Sequence, residues 1–291
     1  MTSRHARRRA WAGVALTLAL VVALAAGCVT GTHTSFEVPL DRPATPLRAD
    51  ASDADTLAAV AAILMERFAL PLPKAPPLRA HFYSSQDAFE QGLIADGGLP
   101  DRTMARDQAR FAVGVGTASG MFFRGDRLSL VPRLERVGLF AHELTHVSQF
   151  ELAGGKRGGD QWLREGFADW IKYRTLEVVG LRTYADSRRL IVRQMARAGA
   201  VDKFPALGVL VTNRQWVTAR NDLGGPATYG QAFLAVDWLV ERTSREKVID
   251  YFRRFARRDD RVAHFRDAFG MPPGLFAEEF RARLPTLLPG A

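Results

Sequence analysis

Residues 142–146 read His-Glu-Leu-Thr-His, and this short stretch decides how the rest of the chain is interpreted. On a helix, side chains four residues apart lie one turn above each other on the same face, so the imidazoles of His142 and His146 can reach one metal ion. Glu143 is offset around the helix, where its carboxylate can reach a water without binding the metal. The stretch therefore predicts a helix that carries two metal ligands and a base.

A second stretch, residues 162–170, reads Trp-Leu-Arg-Glu-Gly-Phe-Ala-Asp-Trp and offers a third ligand. Eighteen residues, 147–164, separate His146 from Glu165. A carboxylate on a second helix gives the metal three protein ligands and leaves one position open, which is the arrangement of catalytic rather than structural zinc. We therefore predict that His142, His146 and Glu165 bind one metal ion.

Together the two stretches resemble the gluzincin metallopeptidases, whose third ligand is the Glu of a W-L-x-E-G-x-A motif on the helix after H-E-x-x-H. The motif stands here as residues 162–168, at the spacing of the aminopeptidase branch. Among the gluzincins, this short chain looks most like the peptidase MA-like proteins, many of which belong to the bacterial envelope. The resemblance is strong over residues 137–171 and weaker to about residue 285.

The resemblance implies a zinc metallopeptidase, a hydrolase with one Zn²⁺ per chain. Zinc with three protein ligands lowers the pKa of its water to about 7. Glu143 is expected to act as general base for this zinc-activated water and then to pass the proton to the leaving amine. The expected substrate is a peptide or a protein.

Two further residues receive roles from the resemblance. Asp169, four residues after the third ligand, is expected to accept a hydrogen bond from the non-ligating nitrogen of a metal histidine. The alternative for Asp169 is a solvated helix carboxylate. Tyr229, in the segment 227–233, is the candidate donor to the oxyanion. A tyrosine that only packs at a helix start is its alternative, and Tyr173 and Tyr184 compete for the role.

The type of peptidase depends on a motif that the sequence lacks. Related aminopeptidases hold a free amino terminus with a G-x-M-E-N segment, which is not found before residue 142. An endopeptidase is therefore favoured. Two alternatives stay open: a catalytically idle envelope protein that binds a partner, and an amidase of cell-wall peptides. Loss of the base is the usual trace of an idle relative, and Glu143 is retained.

The first 28 residues have the organisation of a bacterial targeting segment. Four arginines within residues 4–9 precede an apolar run over residues 11–26. Residues 25–28, Ala-Ala-Gly-Cys, resemble a lipobox, which implies a signal peptide over residues 1–27 and a lipid on Cys28. We expect a protein of the bacterial cell envelope, lipid-anchored to the membrane and facing the periplasm or the exterior. An uncleaved membrane anchor is the alternative.

Composition excludes other classes of protein. Cys28 is the only cysteine, so no disulfide can form within the chain. The formal net charge is +9, and removing the four leader arginines, with no acids among residues 1–27, leaves +5. Lysines and arginines alternate with acids and form no basic stripe with interleaved aromatic residues, so no nucleic acid is expected as a partner.

The pattern of apolar residues predicts an α+β fold similar to the gluzincins. A small mixed or antiparallel sheet lobe is expected at about residues 51–133, and a mainly helical lobe at about 134–291, with the zinc site between them. Residues 28–50 lack periodicity, which favours a tether. An edge strand of the sheet is expected to form one wall of the cleft, where it can pair with an extended substrate.

Individual elements follow from the apolar period and from Gly and Pro breaks. Strands are predicted at residues 78–84, 111–117, 121–123 and 127–131. Helices are predicted at residues 53–68, 86–94, 134–152, 161–178, 184–197, 231–243, 246–257, 261–269 and 274–284.

Overall fold

A computed structural model describes residues 33–44, 46–99 and 101–288 of the chain. The predicted signal peptide and the lipidation site Cys28 lie outside the described residues. Within these ranges, no helix is both long and apolar enough to cross a bilayer. Helices and a small mixed sheet combine, so the predicted α+β class is confirmed.

The sheet has four strands in the order β1-β2-β4-β3, with β3 at one edge. The strands β2 and β4 run parallel, and the other two neighbouring pairs run antiparallel. Ala80 on β2 lies opposite Met121 on β4, and both side chains are fully buried. The strands are β1 (His33–Glu37), β2 (Arg79–Tyr83), β3 (Gly114–Thr117) and β4 (Gly120–Arg124).

The predicted tether is wrong for His33–Glu37, because these residues form β1. Phe36 pairs with Ala80 on β2, and its ring stacks on that of Phe82 at 5.4 Å between centroids. Val38, just after the strand, is buried. The partner strand lies more than forty residues away along the chain, so no local period reveals this pairing.

Two predicted strands also differ from the structure. The strand predicted at residues 111–117 begins only at Gly114, because residues up to Phe111 continue a helix that Asp101 caps through the amide of Thr103 at 2.8 Å. The strand predicted at residues 127–131 is wrong. Its first residues form a short helical turn instead, since the amide of Ser129 bonds back to the carbonyl of Gly125 at 3.2 Å.

Four helices belong to the first half of the chain. They are α1 (Asp53–Phe68), α2 (Gln86–Ala95), α3 (Arg102–Phe111) and α4 (Gly125–Leu128). The helices α2 and α4 contact the sheet, and α3 packs on α2. The helix α1 begins after Ser52, whose hydroxyl accepts the amide of Asp55 at 3.1 Å. It packs its apolar face on the later helix Arg133–Leu152.

The second half is helical, as predicted, with one helix that the sequence analysis misses. The helix α8 follows a capping box between Thr212 and Gln215. The helix α9 begins six residues before its predicted start, with Pro226 in its first turn. These helices are α5 (Arg133–Leu152), α6 (Gln161–Val178), α7 (Tyr184–Ala198), α8 (Asn213–Leu223), α9 (Gly225–Arg242), α10 (Arg245–Arg254), α11 (Arg261–Phe269) and α12 (Pro273–Leu287).

Two glycines allow the close contacts that position the central helices. A Cβ on Gly166 of α6 would lie 2.3 Å from the carbonyl oxygen of Ala232, so only glycine lets α6 approach α9 this closely. A Cβ on Gly116 of β3 would lie 2.3 Å from the carbonyl oxygen of Glu143. The edge strand therefore lies directly against α5 at the H-E-x-x-H stretch. All of these elements belong to one compact unit that begins at His33. Because β1 starts at His33, the sheet begins before residue 51.

Candidate metal site and cleft

Three buried side chains on α5 and α6 converge on one point. Nε2 of His142 lies 3.1 Å from Nε2 of His146, and these nitrogens lie 3.2 and 3.3 Å from Oε2 of Glu165. Ligands about 2.0–2.1 Å from a tetrahedral zinc are separated by about 3.3 Å, so the observed triangle matches one face of such a site. The cluster can hold a metal ion.

Each histidine is held by a second hydrogen bond at its other ring nitrogen. Nδ1 of His142 lies 2.9 Å from Oδ1 of Asp169, the contact expected from the sequence. Nδ1 of His146 lies 2.9 Å from Oε1 of Gln149, whose amide nitrogen donates to the carbonyl of Arg164 at 3.0 Å. Because both oxygens can only accept, both Nδ1 atoms donate, and both Nε2 atoms are directed toward the metal position.

Glu165 is oriented in the same way. Gln161, one turn earlier on α6, donates from Nε2 to Oε1 of Glu165 at 2.6 Å. Arg157 in turn donates to Oε1 of Gln161 at 2.9 Å, which fixes the orientation of that amide. One carboxylate oxygen of Glu165 is thus occupied, and Oε2 is left to face the two histidines.

The charges of the cluster favour a cation at this position. Burial by itself lowers the pKa of His142, but hydrogen bonds with Asp169 and Glu165 outweigh it and raise the pKa to about 10. Burial likewise raises the pKa of Glu165, yet the charge of His146 and the hydrogen bonds of both histidines bring it well below the usual value. A metal cation would meet the same attraction and would compete with the proton for Nε2 of His142.

Glu143 faces the cleft with its carboxylate fixed by the edge strand. The amide of Gly116 donates to Oε2 of Glu143 at 2.7 Å. Burial raises the pKa of Glu143, although the charges of His142 and His146 oppose this. A fixed carboxylate with a raised pKa is a better proton acceptor for chemistry near neutral pH than a free one.

Tyr229 lies near the N-terminus of α9, beside the first metal histidine. Its ring centroid is 6.0 Å from that of His142, and its other side packs on Trp216 at 5.0 Å. Of the two competing tyrosines, Tyr173 lines only the larger cavity beside the site, and Tyr184 lines neither cavity. The hydroxyl of Tyr184 bonds to Asp237, and Tyr173 packs edge-on against a phenylalanine of α9. Of the three tyrosines, Tyr229 alone lines the cavities on both sides of the site.

Two cavities meet at this site and form one cleft. The first has a volume of about 380 Å³ and lies toward Phe150 and the loop 154–160. The second has a volume of about 710 Å³ and lies toward α7 and α8. Both are lined by His142, Glu143 and Tyr229. The cleft therefore passes the site on both sides, along the edge strand.

Three residues of this arrangement were not predicted. Gln149 stands three positions after His146, and Gln161 stands four before Glu165, so each lies on the metal-facing side of its helix. That helical spacing is a signal in the sequence. Gly116 carries no such signal, because its contact with Glu143 depends on how the sheet packs against α5.

A second group of ligand-type side chains lies on the sheet. It consists of His33 on β1, His81 on β2 and Asp96 after α2, with ligand atoms within 4.8 Å of one another. His33 and Asp96 are exposed, and His81 is half-buried. None of these three residues is predicted from the sequence to form a site.

Comparisons with known proteins return nothing for this chain. No protein-family model matches it, no curated protein matches it, and no solved structure matches it. A function must therefore be inferred from the residues and distances of the site itself.

Proposed function

We propose that this chain is a zinc-dependent metallopeptidase of the gluzincin type, similar to the peptidase MA-like proteins. The observation that supports this best is the triangle of His142, His146 and Glu165, with ligand atoms 3.1–3.3 Å apart and a separate carboxylate beside it. Two histidines and one glutamate that leave a position open are the ligand set of catalytic zinc. Structural zinc sites use four protein ligands.

The chain's own residues divide the work of hydrolysis. When bound, zinc supplies Lewis acidity, which makes water acidic near neutral pH and stabilises negative charge on oxygen. Glu143, fixed by the amide of Gly116, takes the proton of the attacking water and delivers it to the leaving amine. Asp169 and Gln149 keep both histidines in the ligating tautomer.

The carbonyl oxygen becomes negatively charged during the attack, and a donor beside it would lower the barrier. Tyr229 is our candidate for that donor, since its ring lies against His142 and lines both cavities. Burial, and then the charge of Glu165, raises the pKa of Tyr229 above its usual value. The hydroxyl therefore stays protonated and able to donate at any pH at which the peptidase would work.

The shape of the cleft favours an endopeptidase. Cavities of about 380 and 710 Å³ lie on opposite sides of the site, so a chain bound across it would continue in both directions. The edge strand β3 forms one wall, where an extended peptide can add to the sheet. A location in the bacterial cell envelope, through a lipid on Cys28, is the part of the proposal that comes from the leader sequence.

Two other functions use the same scaffold. An idle envelope protein that only binds a partner would not need a fixed base, and the hydrogen bond from Gly116 to Glu143 favours an enzyme over it. An amidase acting on cell-wall peptides would use the same metal and base. It differs from an endopeptidase only in the substrate.

The test is hydrolysis of a mixed-sequence peptide library by the full chain, read by mass spectrometry. We expect internal cleavage that stops after chelation and returns when zinc is added back. A parallel reaction with isolated cell-wall peptides identifies the amidase. No cleavage of either substrate by the zinc-loaded chain would contradict the proposal and favour the idle binding protein.

A further inference from the structure

The smaller cavity of the cleft contains a buried arginine without an acidic partner. Arg164 stands directly before Glu165 on α6 and is only 3% exposed. It lines the same cavity as the metal ligands. Within the described ranges, no carboxylate forms an ion pair with Arg164, and its Nε is buried without a hydrogen-bond partner.

A comparison with another buried arginine shows how unusual this is. Arg124 is 5% exposed, and its guanidinium makes two bonds of 2.9 and 2.6 Å to the carboxylate of Asp126. Arg164 has only a bond of 3.2 Å to the carbonyl of Gly158 and a stacking contact at 4.9 Å with the ring of Phe150. A buried charge without a counter-ion costs free energy, which an anion from outside would offset.

Arg164 is charged despite its burial. An arginine guanidinium is not deprotonated in proteins, because its pKa lies far above neutral pH. Glu165 is the nearest acid in sequence, but its two oxygens are occupied by Gln161 and by the histidines. The positive charge on this side of the site is therefore not neutralised.

A second arginine stands beside the first. Arg157, in the glycine-rich loop 154–160, donates to Gln161 at 2.9 Å and lines the same cavity. Guanidinium groups bind carboxylates through paired hydrogen bonds of fixed geometry. Apolar side chains, Leu99 and Met104 among them, line the same space and would accommodate methylene groups.

The larger cavity differs in charge. Two of its basic residues have acidic partners: Lys172 lies 3.4 Å from Asp169, and Arg182 lies 2.9 Å from Glu135. The third, Arg220, stacks on an aromatic ring at 4.4 Å and is only half-buried, so water still solvates its charge. The uncompensated buried charge is thus found on one side of the site only.

We propose that the smaller cavity is a carboxylate-binding subsite, in which Arg164 and Arg157 bind an acidic group of the substrate next to the bond that is cut. This deepens the proposed peptidase function and rests on it. The carboxylate has two possible sources, a Glu or Asp side chain within a peptide or the carboxyl terminus of the chain. The first source makes the protein an endopeptidase selective for acidic residues, and the second makes it an enzyme that trims carboxyl termini.

Binding of labelled peptides to the full-length Glu143→Gln variant tests the subsite without any turnover, with fluorescence anisotropy as the readout. Three peptides of one sequence are compared. One has an internal Glu and an amidated terminus, one has Gln and a free carboxyl terminus, and one has Gln and an amidated terminus. We expect one of the two acidic peptides to bind at least about tenfold more tightly than the neutral one, as for a charged hydrogen bond. The peptide that gains affinity identifies the source.

Arginine variants that retain the same zinc content as the parent then separate the subsite from the metal, which can also attract a carboxylate. Arg157→Gln and Arg164→Lys should each remove most of the preference, since the first loses a charge and the second loses the paired geometry. Arg253→Gln is the matched control, because Arg253 is exposed on α10 and lines neither cavity. If a thermal melt shows that Arg164→Lys is not folded, the result for Arg157→Gln alone tests the subsite.

Three equal affinities, or a preference that survives the arginine substitutions, would overturn the subsite. The peptidase proposal fails separately. If the zinc-loaded chain cleaves neither substrate while the preference for the acidic peptide persists, the function is wrong and the subsite stands. If cleavage occurs without any such preference, the subsite alone is wrong.

Discussion

The described part of this chain contains two groups of histidine and carboxylate side chains that could bind one ion. The two groups differ in burial and in the hydrogen bonds that support them. Around His142 the ligand atoms lie 3.1–3.3 Å apart and are buried. Around His81 the atoms lie within 4.8 Å, and the flanking His33 and Asp96 are exposed. The first group has the separation that a tetrahedral ion requires and is shielded from water, whereas two of the three side chains in the second group are open to solvent.

The supporting contacts differ even more. Both histidines of the buried group donate from Nδ1 to an acceptor, Asp169 or Gln149, at 2.9 Å. In the sheet group, Nδ1 of His81 is buried without a hydrogen-bond partner among the described residues. Asp96 already accepts the hydroxyl of Tyr83 at 2.9 Å. Histidine and carboxylate side chains that merely lie close together therefore do not make a metal site. The second hydrogen bond of each ligand is what makes a site ready for a metal.

The largest effect is expected from the base. Glu143→Gln should lower kcat by about 10²–10⁴, the usual contribution of a general base, while zinc stays bound. Glu151→Gln, an exposed change at the end of the same helix, and Asp96→Asn in the sheet group should leave kcat unchanged. Peptide hydrolysis and zinc content are measured on the same samples, so that a loss of the base can be told from a loss of the metal. Full turnover by Glu143→Gln would contradict the assignment of the base.

The second-largest effect is expected on zinc affinity when one of the three proposed metal ligands is replaced. Glu165→Ala should weaken zinc binding by about a thousandfold, since one of three ligands carries roughly a third of a zinc binding free energy of about 10–16 kcal/mol. His81→Ala in the sheet group should leave that affinity unchanged. Competition with a chromogenic chelator measures both. A loss of zinc affinity in His81→Ala without one in Glu165→Ala would mean that the sheet group holds the tight ion.

The supporting hydrogen bonds should matter less than the ligands. Asp169→Asn and Gln149→Ala should each weaken zinc binding by about 10–100-fold, as is typical when the group that orients a metal histidine is changed. Tyr83→Phe, which removes the partner of Asp96, is the matched change in the sheet group and should have no effect on zinc affinity. Unchanged affinity in both Asp169→Asn and Gln149→Ala would show that the contacts at Nδ1 do not prepare the site.

The smallest step, about tenfold in zinc affinity for each pH unit, comes from the proton that zinc displaces. Hydrogen bonds with Asp169 and Glu165 overcome burial and raise the pKa of His142 to about 10, so zinc must displace a proton there at pH 8. Zinc affinity should rise by roughly tenfold per pH unit between about pH 7 and pH 10, because one competing proton is lost over that range. Burial lowers the pKa of His81, so His81 would release no proton at pH 8. Calorimetry in buffers with different ionisation enthalpies counts the protons. A count of zero at pH 8 would contradict this account.

The buried group could be predicted from the sequence because its geometry is local. Helical spacing brings His142 and His146 together, and a second helix with a suitable motif supplies Glu165. The contact of Asp169 was expected from the resemblance. The contacts of Gln149 and Gln161 follow from the same helical spacing once the metal-facing side is known, but polar residues at such positions are too common to be singled out.

Other features could not be predicted because they depend on distant parts of the chain. The strand His33–Glu37 exists only through pairing with β2, far along the sequence. The bond from Gly116 to Glu143 requires the edge of the sheet to meet α5. In the sequence, Arg164 cannot be distinguished from a solvent-exposed arginine on a helix. Only the structure shows that it is buried without an acidic partner.

The central claim, one zinc held by the buried group, is tested most directly by elemental analysis of the purified full chain. The account predicts one zinc per chain, its loss in His146→Ala, and its retention in His33→Ala. Both variants remove one histidine, so they differ only in the group that is broken. No zinc after incubation with the ion at neutral pH, or a full zinc in His146→Ala, would contradict the account.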